Sequence, residues 1–76
     1  MDEKQELAET AAQVVYEYEG WCEEHISATF HVFEEFGEVP SYSVDELYGA
    51  ALKADFAKKA GMTYDQAVEF VLKGLQ

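Results

Sequence analysis

The sequence predicts an all-α domain, and three observations predict it. Apolar residues recur at helical spacing from about residue 3 to 36, a glycine–proline break follows at 37–41, and N-cap signatures stand at Ser43 and Thr63. The expected architecture is one long acidic amphipathic helix over about 3–36, continuous or broken near Gly20, then a helical hairpin over about 44–60 and 64–75. All of it falls within a single domain, 1–76.

On a wheel of about 100° per residue, Leu7, Ala11, Val14, Val15, Tyr18, Cys22, Phe33 and Phe36 gather around one direction, with Ile26 and Val32 at its margins. Glu6, Glu9, Glu17, Glu23, Glu24, Glu34 and Glu35 gather opposite, and Tyr16 and Phe30 fall toward that acidic side. The phase survives Gly20, which favours one helix or two nearly collinear ones, although an interior glycine costs about 1 kcal/mol relative to alanine. Ile26 to Phe33 is rich in strand-favouring residues, but its apolar positions do not alternate and Glu34-Glu35 continue the helical pattern. Gly37 suits the left-handed position after a helix, and Pro40 cannot continue one. Ser43-Val44-Asp45-Glu46 then forms a capping box ahead of Leu47, Ala51, Ala54 and Ala57, and Gly61 ends that helix. Thr63 and Gln66 repeat the device, with Met62 placed to staple against Ala67, before Val68, Val71, Leu72 and Leu75. A continuous first helix would be about 50 Å long against about 25 and 20 Å for the other two. The short pair cannot cover its stripe, so either a homodimer or a fold-back near Gly20 is expected.

A chain of 76 residues buries only about 60% of its unfolded surface, so its core is small. Hydrophobic residues at 49% and aromatics at 14% are too many for a disordered acidic tail. The single cysteine, Cys22, excludes an internal disulfide and fits the reducing cytoplasm as the expected compartment. The acidic amino terminus has no apolar run behind it, and no stretch approaches the roughly 20 apolar residues of a membrane span. Neither secretion nor membrane association is expected.

Charge is the most informative feature for function. Of the net −11, residues 1–38 carry −10, with eleven acids against Lys4, whereas the remaining residues balance five acids with four lysines. Carboxylates three or four residues apart on a helix stand about 5–6 Å from one another, comparable to phosphate spacing along a nucleic-acid strand. Almost no lysine stands four residues from these acids, so their repulsion is uncompensated. Such a face is either a solvated surface or a docking surface for a basic partner. In composition, residues 2–38 resemble the small acidic DNA-mimicking inhibitors of phages and mobile elements, which include anti-restriction and anti-CRISPR proteins. That resemblance implies a non-enzymatic inhibitor that docks on a basic nucleic-acid-binding protein and does not touch nucleic acid itself. Its expected contact residues are Glu6, Glu9, Glu17, Glu23, Glu24, Glu34 and Glu35, with Tyr16 as an aromatic anchor.

Residues 53–70 resemble a helix-turn-helix, with Phe56, Ala57, Ala60, Gly61, Met62 and Phe70 in its apolar, small and glycine places. Ala67 stands where that family has a branched aliphatic residue. The alternative function is therefore a degenerate helix-turn-helix regulator that dimerises through its long helix, with Tyr64 and Lys73 in contact with the target. The chain has no arginine, and Asp65 and Glu69 would face phosphate, which opposes DNA reading; a plain αα-hairpin has the same pattern. Cys22 with His25, and His31 with Glu35, have helix-face spacing for metal, but one Cys-x-x-His pair falls short of four zinc ligands. Cys22 is expected in the core instead. No nucleophile elbow, phosphate loop or His-Glu-x-x-His is present, and short helices leave little room for a concave pocket. No catalysis, metal or cofactor is expected.

Overall fold

The computed structural model describes residues 3–75, which form four helices: α1 (Glu3–Glu17), α2 (Glu23–Glu35), α3 (Val44–Lys59) and α4 (Tyr64–Leu75). Asp2, counted among the acids above, lies outside the described residues. The fold is all-α, with the hairpin at its expected place, and the long amphipathic helix is broken near Gly20 into α1 and α2. α1 packs against both α3 and α4, α3 against α4, and α2 against α3.

The break re-phases the second segment. Gly20 takes φ +67°, a left-handed conformation that a side chain would strain, and Trp21 turns toward α3. There the Trp21 indole N–H donates to Asp55 Oδ1 at 3.0 Å, and its ring meets Tyr48 edge-on at 6.0 Å. A wheel assumes an unbroken step of about 100° per residue; the non-helical residues 18–22 remove that continuity. As a result Ile26 and Phe30 face α3 and are buried, whereas Tyr18, Cys22, Val32 and Phe36 are exposed, Phe36 at 74%. The core positions expected for Tyr18, Cys22 and Phe36 and the acidic-side position expected for Phe30 are corrected on that ground.

Tyr42, in the turn before α3, is buried among these helices. Its ring meets Phe30 edge-on at 5.9 Å and its hydroxyl lies 3.3 Å from Thr10 Oγ1, so it joins α1 to α2. Tyr42 and Leu47 occupy the two positions of a hydrophobic staple around the Ser43 cap. The capping boxes form as read: the Glu46 amide donates to Ser43 Oγ and the Ser43 amide to Glu46 Oε1, both at 3.1 Å. At α4 the Thr63 amide donates to Gln66 Oε1 at 2.9 Å and the Gln66 amide to Thr63 Oγ1 at 3.3 Å. α3 closes in a Schellman motif in which the amides of Gly61 and Met62 donate to the carbonyls of Lys58 and Ala57, both at 3.0 Å.

Among the described residues eight of the seventeen buried hydrophobic residues are alanines, and six of them, Ala8, Ala11 and Ala12 of α1 and Ala50, Ala51 and Ala54 of α3, belong to the core cluster. Side chains this small let the two backbones approach closely, and leave Val15, Ile26, Leu47 and Val71 as the largest fully buried groups.

Gly61 holds φ +85° with open space where a Cβ would stand, so Gly61→Ala meets backbone strain and no clash. It should lower unfolding free energy by about 1–2 kcal/mol in urea titration, with an unchanged m-value.

Candidate functional site

α1 turns Leu7, Ala11, Val14 and Val15 inward, which leaves its glutamates on the outer side. The structure divides three of them, Glu6, Glu9 and Glu17, between two grooves. Glu6 and Glu17 line a groove of about 300 Å³ between α1 and α2, floored by Val14, Val32 and Phe33. Glu9 lines another of about 430 Å³ between α1 and α4, where Asp65 and Glu69 join it. Asp65 and Glu69 are the carboxylates that helical periodicity left out of the acidic face; their i, i+4 spacing is visible in sequence, but that α4 lies beside α1 is not. Glu23 and Glu24 begin α2 and Glu34 and Glu35 end it, roughly 15 Å apart along the axis.

These positions differ in their local field. Glu23 and Glu24 in the first turn of α2 meet the positive end of the helix dipole, whereas Glu34 and Glu35 in its last turn, like Glu17 at the end of α1, meet the negative end. Neither helix has a basic residue in its last turn. Glu9 accepts from Gln5 Nε2 at 3.1 Å and Glu17 from Gln13 Nε2 at 3.3 Å, yet among the described residues none of the seven glutamates enters an ion pair. The accumulated charge acts on neighbouring tyrosines. Burial, then the charges of Glu9, Asp65 and Glu17, push the Tyr64 phenol above its ordinary value. Burial also raises Tyr42, reinforced by Glu6 and opposed by the Thr10 hydrogen bond.

Tyr16 is placed differently from an exposed anchor. Its hydroxyl donates to the Met62 carbonyl at 2.8 Å and its ring meets Tyr64 edge-on at 6.0 Å. Lys58 Nζ lies 5.7 Å from the Tyr16 ring centroid and donates to the Val15 carbonyl at 3.1 Å. An α3 lysine thus satisfies a carbonyl in the last turn of α1, the place where α1 lacks a cation of its own. Tyr16 and Lys58 together tie the end of α1 to the α3–α4 turn, so half-buried Tyr16 is a strut of the fold.

An open cleft of about 690 Å³ lies beside this tie, lined by Tyr18, Trp21, Cys22, Tyr48, Leu52, Asp55, Lys58 and Lys59. Its size corrects the expectation that short helices leave little room; the break at Gly20 swings Trp21 out over α3 and opens it. Cys22 and His25 form a helix-start device: His25 Nδ1 accepts from the Cys22 amide at 3.0 Å and stands 3.5 Å from Sγ. Among the described residues no group of three or more His, Cys, Asp or Glu side chains converges to hold a metal ion, and no helix is long and apolar enough to cross a membrane.

Two outcomes follow from this geometry. Tyr16→Phe should lower stability by about 1 kcal/mol through loss of the bond to the Met62 carbonyl, read by thermal or urea unfolding. Asp55 is held below its ordinary carboxylate value by Lys59 and then by the Trp21 N–H, with the Lys59 ammonium 2.9 Å from Oδ2. A pKa lowered by folding contributes stability above the unfolded value of 3.8, and that stability is lost as pH falls through the folded value. The gap in unfolding free energy between wild type and Asp55→Asn should be full at neutral pH and close below about pH 4, with Trp21 fluorescence as the reporter.

Comparison with known proteins finds no matching family model, no matching curated protein and no matching solved structure, and the functional reading therefore rests on the arrangement of these side chains.

Proposed function

We propose that the protein is a non-enzymatic inhibitor whose acidic α1–α2 surface docks on a basic, nucleic-acid-binding surface of a larger protein, in the manner of anti-restriction or anti-CRISPR DNA mimics. The carrying observation is that Glu6, Glu9, Glu17, Glu23, Glu24, Glu34 and Glu35 enter no ion pair among the described residues, and that three of them stand where the helix dipole disfavours a negative charge. A surface kept only for hydration gains nothing from that placement, since adjacent carboxylates about 6 Å apart repel by roughly 0.7 kcal/mol even in water. A surface matched to a row of cations gains affinity and approach rate from every one of them. With Tyr16 engaged inside the fold, docking falls to the glutamates, and the grooves beside Glu6, Glu17 and Glu9 accept long lysine or arginine side chains with apolar stems.

The helix-turn-helix reading has less support. Tyr64, its leading contact residue, donates to the Glu9 carbonyl at 3.3 Å and packs on Tyr16, while Val68 is buried. Asp65 and Glu69 line an acidic groove, where phosphate is repelled.

The test is capture of partners from bacterial lysate at low and then high salt, followed by gel shift of the captured protein on DNA. Release as salt rises and loss of the partner's DNA binding are the expected results, because exposed charges are screened beyond about 8–10 Å. Glu17→Lys with Glu35→Lys should weaken capture at least about tenfold while each raises stability by roughly 0.3–1 kcal/mol, since a cation suits a helix C-terminus. Capture that is indifferent to salt and to both reversals would overturn the proposal.

A further inference from the structure

We infer that the protein associates with a second copy of itself head to tail, the exposed end of α2 in one copy seated on the exposed α3–α4 face of the next. Two apolar patches are left uncovered by the fold. The first is Val32, Phe36 and Val39, at 49%, 74% and 66% exposure; the second is Leu52 and Phe56, at 48% and 63%, with Phe70 stacked on Phe56 at a centroid distance of 5.7 Å. Each contains a pair spaced i, i+4, so each presents a compact ridge. Large apolar side chains left this exposed are candidates for an interaction surface.

Their rims differ in charge: Glu35 and Glu38 flank Phe36, whereas three lysines, Lys53, Lys59 and Lys73, stand around Phe56 and Phe70 against two acids, Asp55 and Glu69. Lys59 is exposed and shares its charge with Asp55. A two-fold contact of the α2 end with itself would press acid on acid. The α2 end against the α3–α4 face brings apolar ridge to apolar ridge with acids on one rim and a lysine excess on the other. This contact also sets the acid-rich half of one molecule against the lysine-bearing half of the next, which reduces the repulsion expected between two chains of charge −11. Because the two patches are different surfaces, a dimer keeps one of each free and growth continues unless a ring closes. The contact shares Val32 and Glu35 with the acidic docking surface but needs no foreign partner, so self-association of the protein alone is read separately from capture of a basic partner.

Sedimentation velocity at about 0.15 M salt, over concentrations up to about 1 mM, tests it. The wild-type weight-average mass should rise past that of a dimer. Phe36→Glu and Phe56→Glu should each weaken association at least about tenfold, as loss of a central anchor does. An equimolar mixture of the two variants should form a one-to-one complex and stop there, because each supplies one intact patch. Lys53→Glu with Lys73→Glu gives a second route that leaves the stacked rings in place; its assembly should be lost and then restored by a copy carrying Glu35→Lys and Glu38→Lys. A wild-type protein that stays monomeric throughout, or variants that fail to pair when mixed, would overturn the inference.

Discussion

The close approach of α1 to α3 is the constraint on which the rest of the molecule depends. Ala8, Ala11 and Ala12 on one helix and Ala50, Ala51 and Ala54 on the other contribute little volume, so burial there comes from backbone proximity and not from large interlocking side chains. A small domain has few other sources of stability. Larger groups from three helices, Leu7 and Val15 of α1, Leu47 of α3 and Val71 of α4, are buried in the same core cluster. Added methylene groups in such a seam would force the backbones apart and cost about 1–3 kcal/mol.

With α1 held against α3, its outer surface is free to carry charge that contributes nothing to packing. Glu6 and Glu17 are exposed and Glu9 is half-buried beside α4 because the inward positions are taken by alanine and valine, and α3 supplies a cation that α1 lacks at its end, Lys58 on the Val15 carbonyl. The acidic surface and the alanine seam are therefore two sides of the same helix. Mutual repulsion on the outside is tolerated because the inner side and the Tyr16–Lys58 tie hold the helix in place. Capping boxes start both helices of the α3–α4 hairpin, and the acids accumulate on the elements docked against it.

α2 is the element with the least support, since it packs on α3 and is joined to α1 chiefly through Tyr42. Its position follows from two contacts outside its own helix, the Trp21 N–H to Asp55 and the Phe30 ring against Tyr42. These aromatic contacts decide which side of α2 faces inward. They also leave Val32 and Phe36 outside and open the cleft beneath Trp21.

Local chemistry determined the helical class, the stop at Gly37, both capping boxes, the Gly61 closure and the acidity of residues 3–38, because each depends on residues within about four positions of one another. Tyr42 was legible in the same way, as the staple partner of Leu47, although periodicity alone passes over a residue in a turn. The inward face of α2 was not, because a helical wheel cannot count rotation through the non-helical residues 18–22; hence Phe30 is inside and Cys22 and Phe36 are outside. The candidate site was legible as a list of glutamates and not as a shape. Only the packing of α1 against α4 brings Asp65 and Glu69 beside Glu9, and only the bond from Tyr16 to the Met62 carbonyl, 46 positions away, makes that half-buried ring a strut of the fold. Spacing along one helix fixes which side chains share its face, while which face meets another element is decided by contacts between residues distant in the chain.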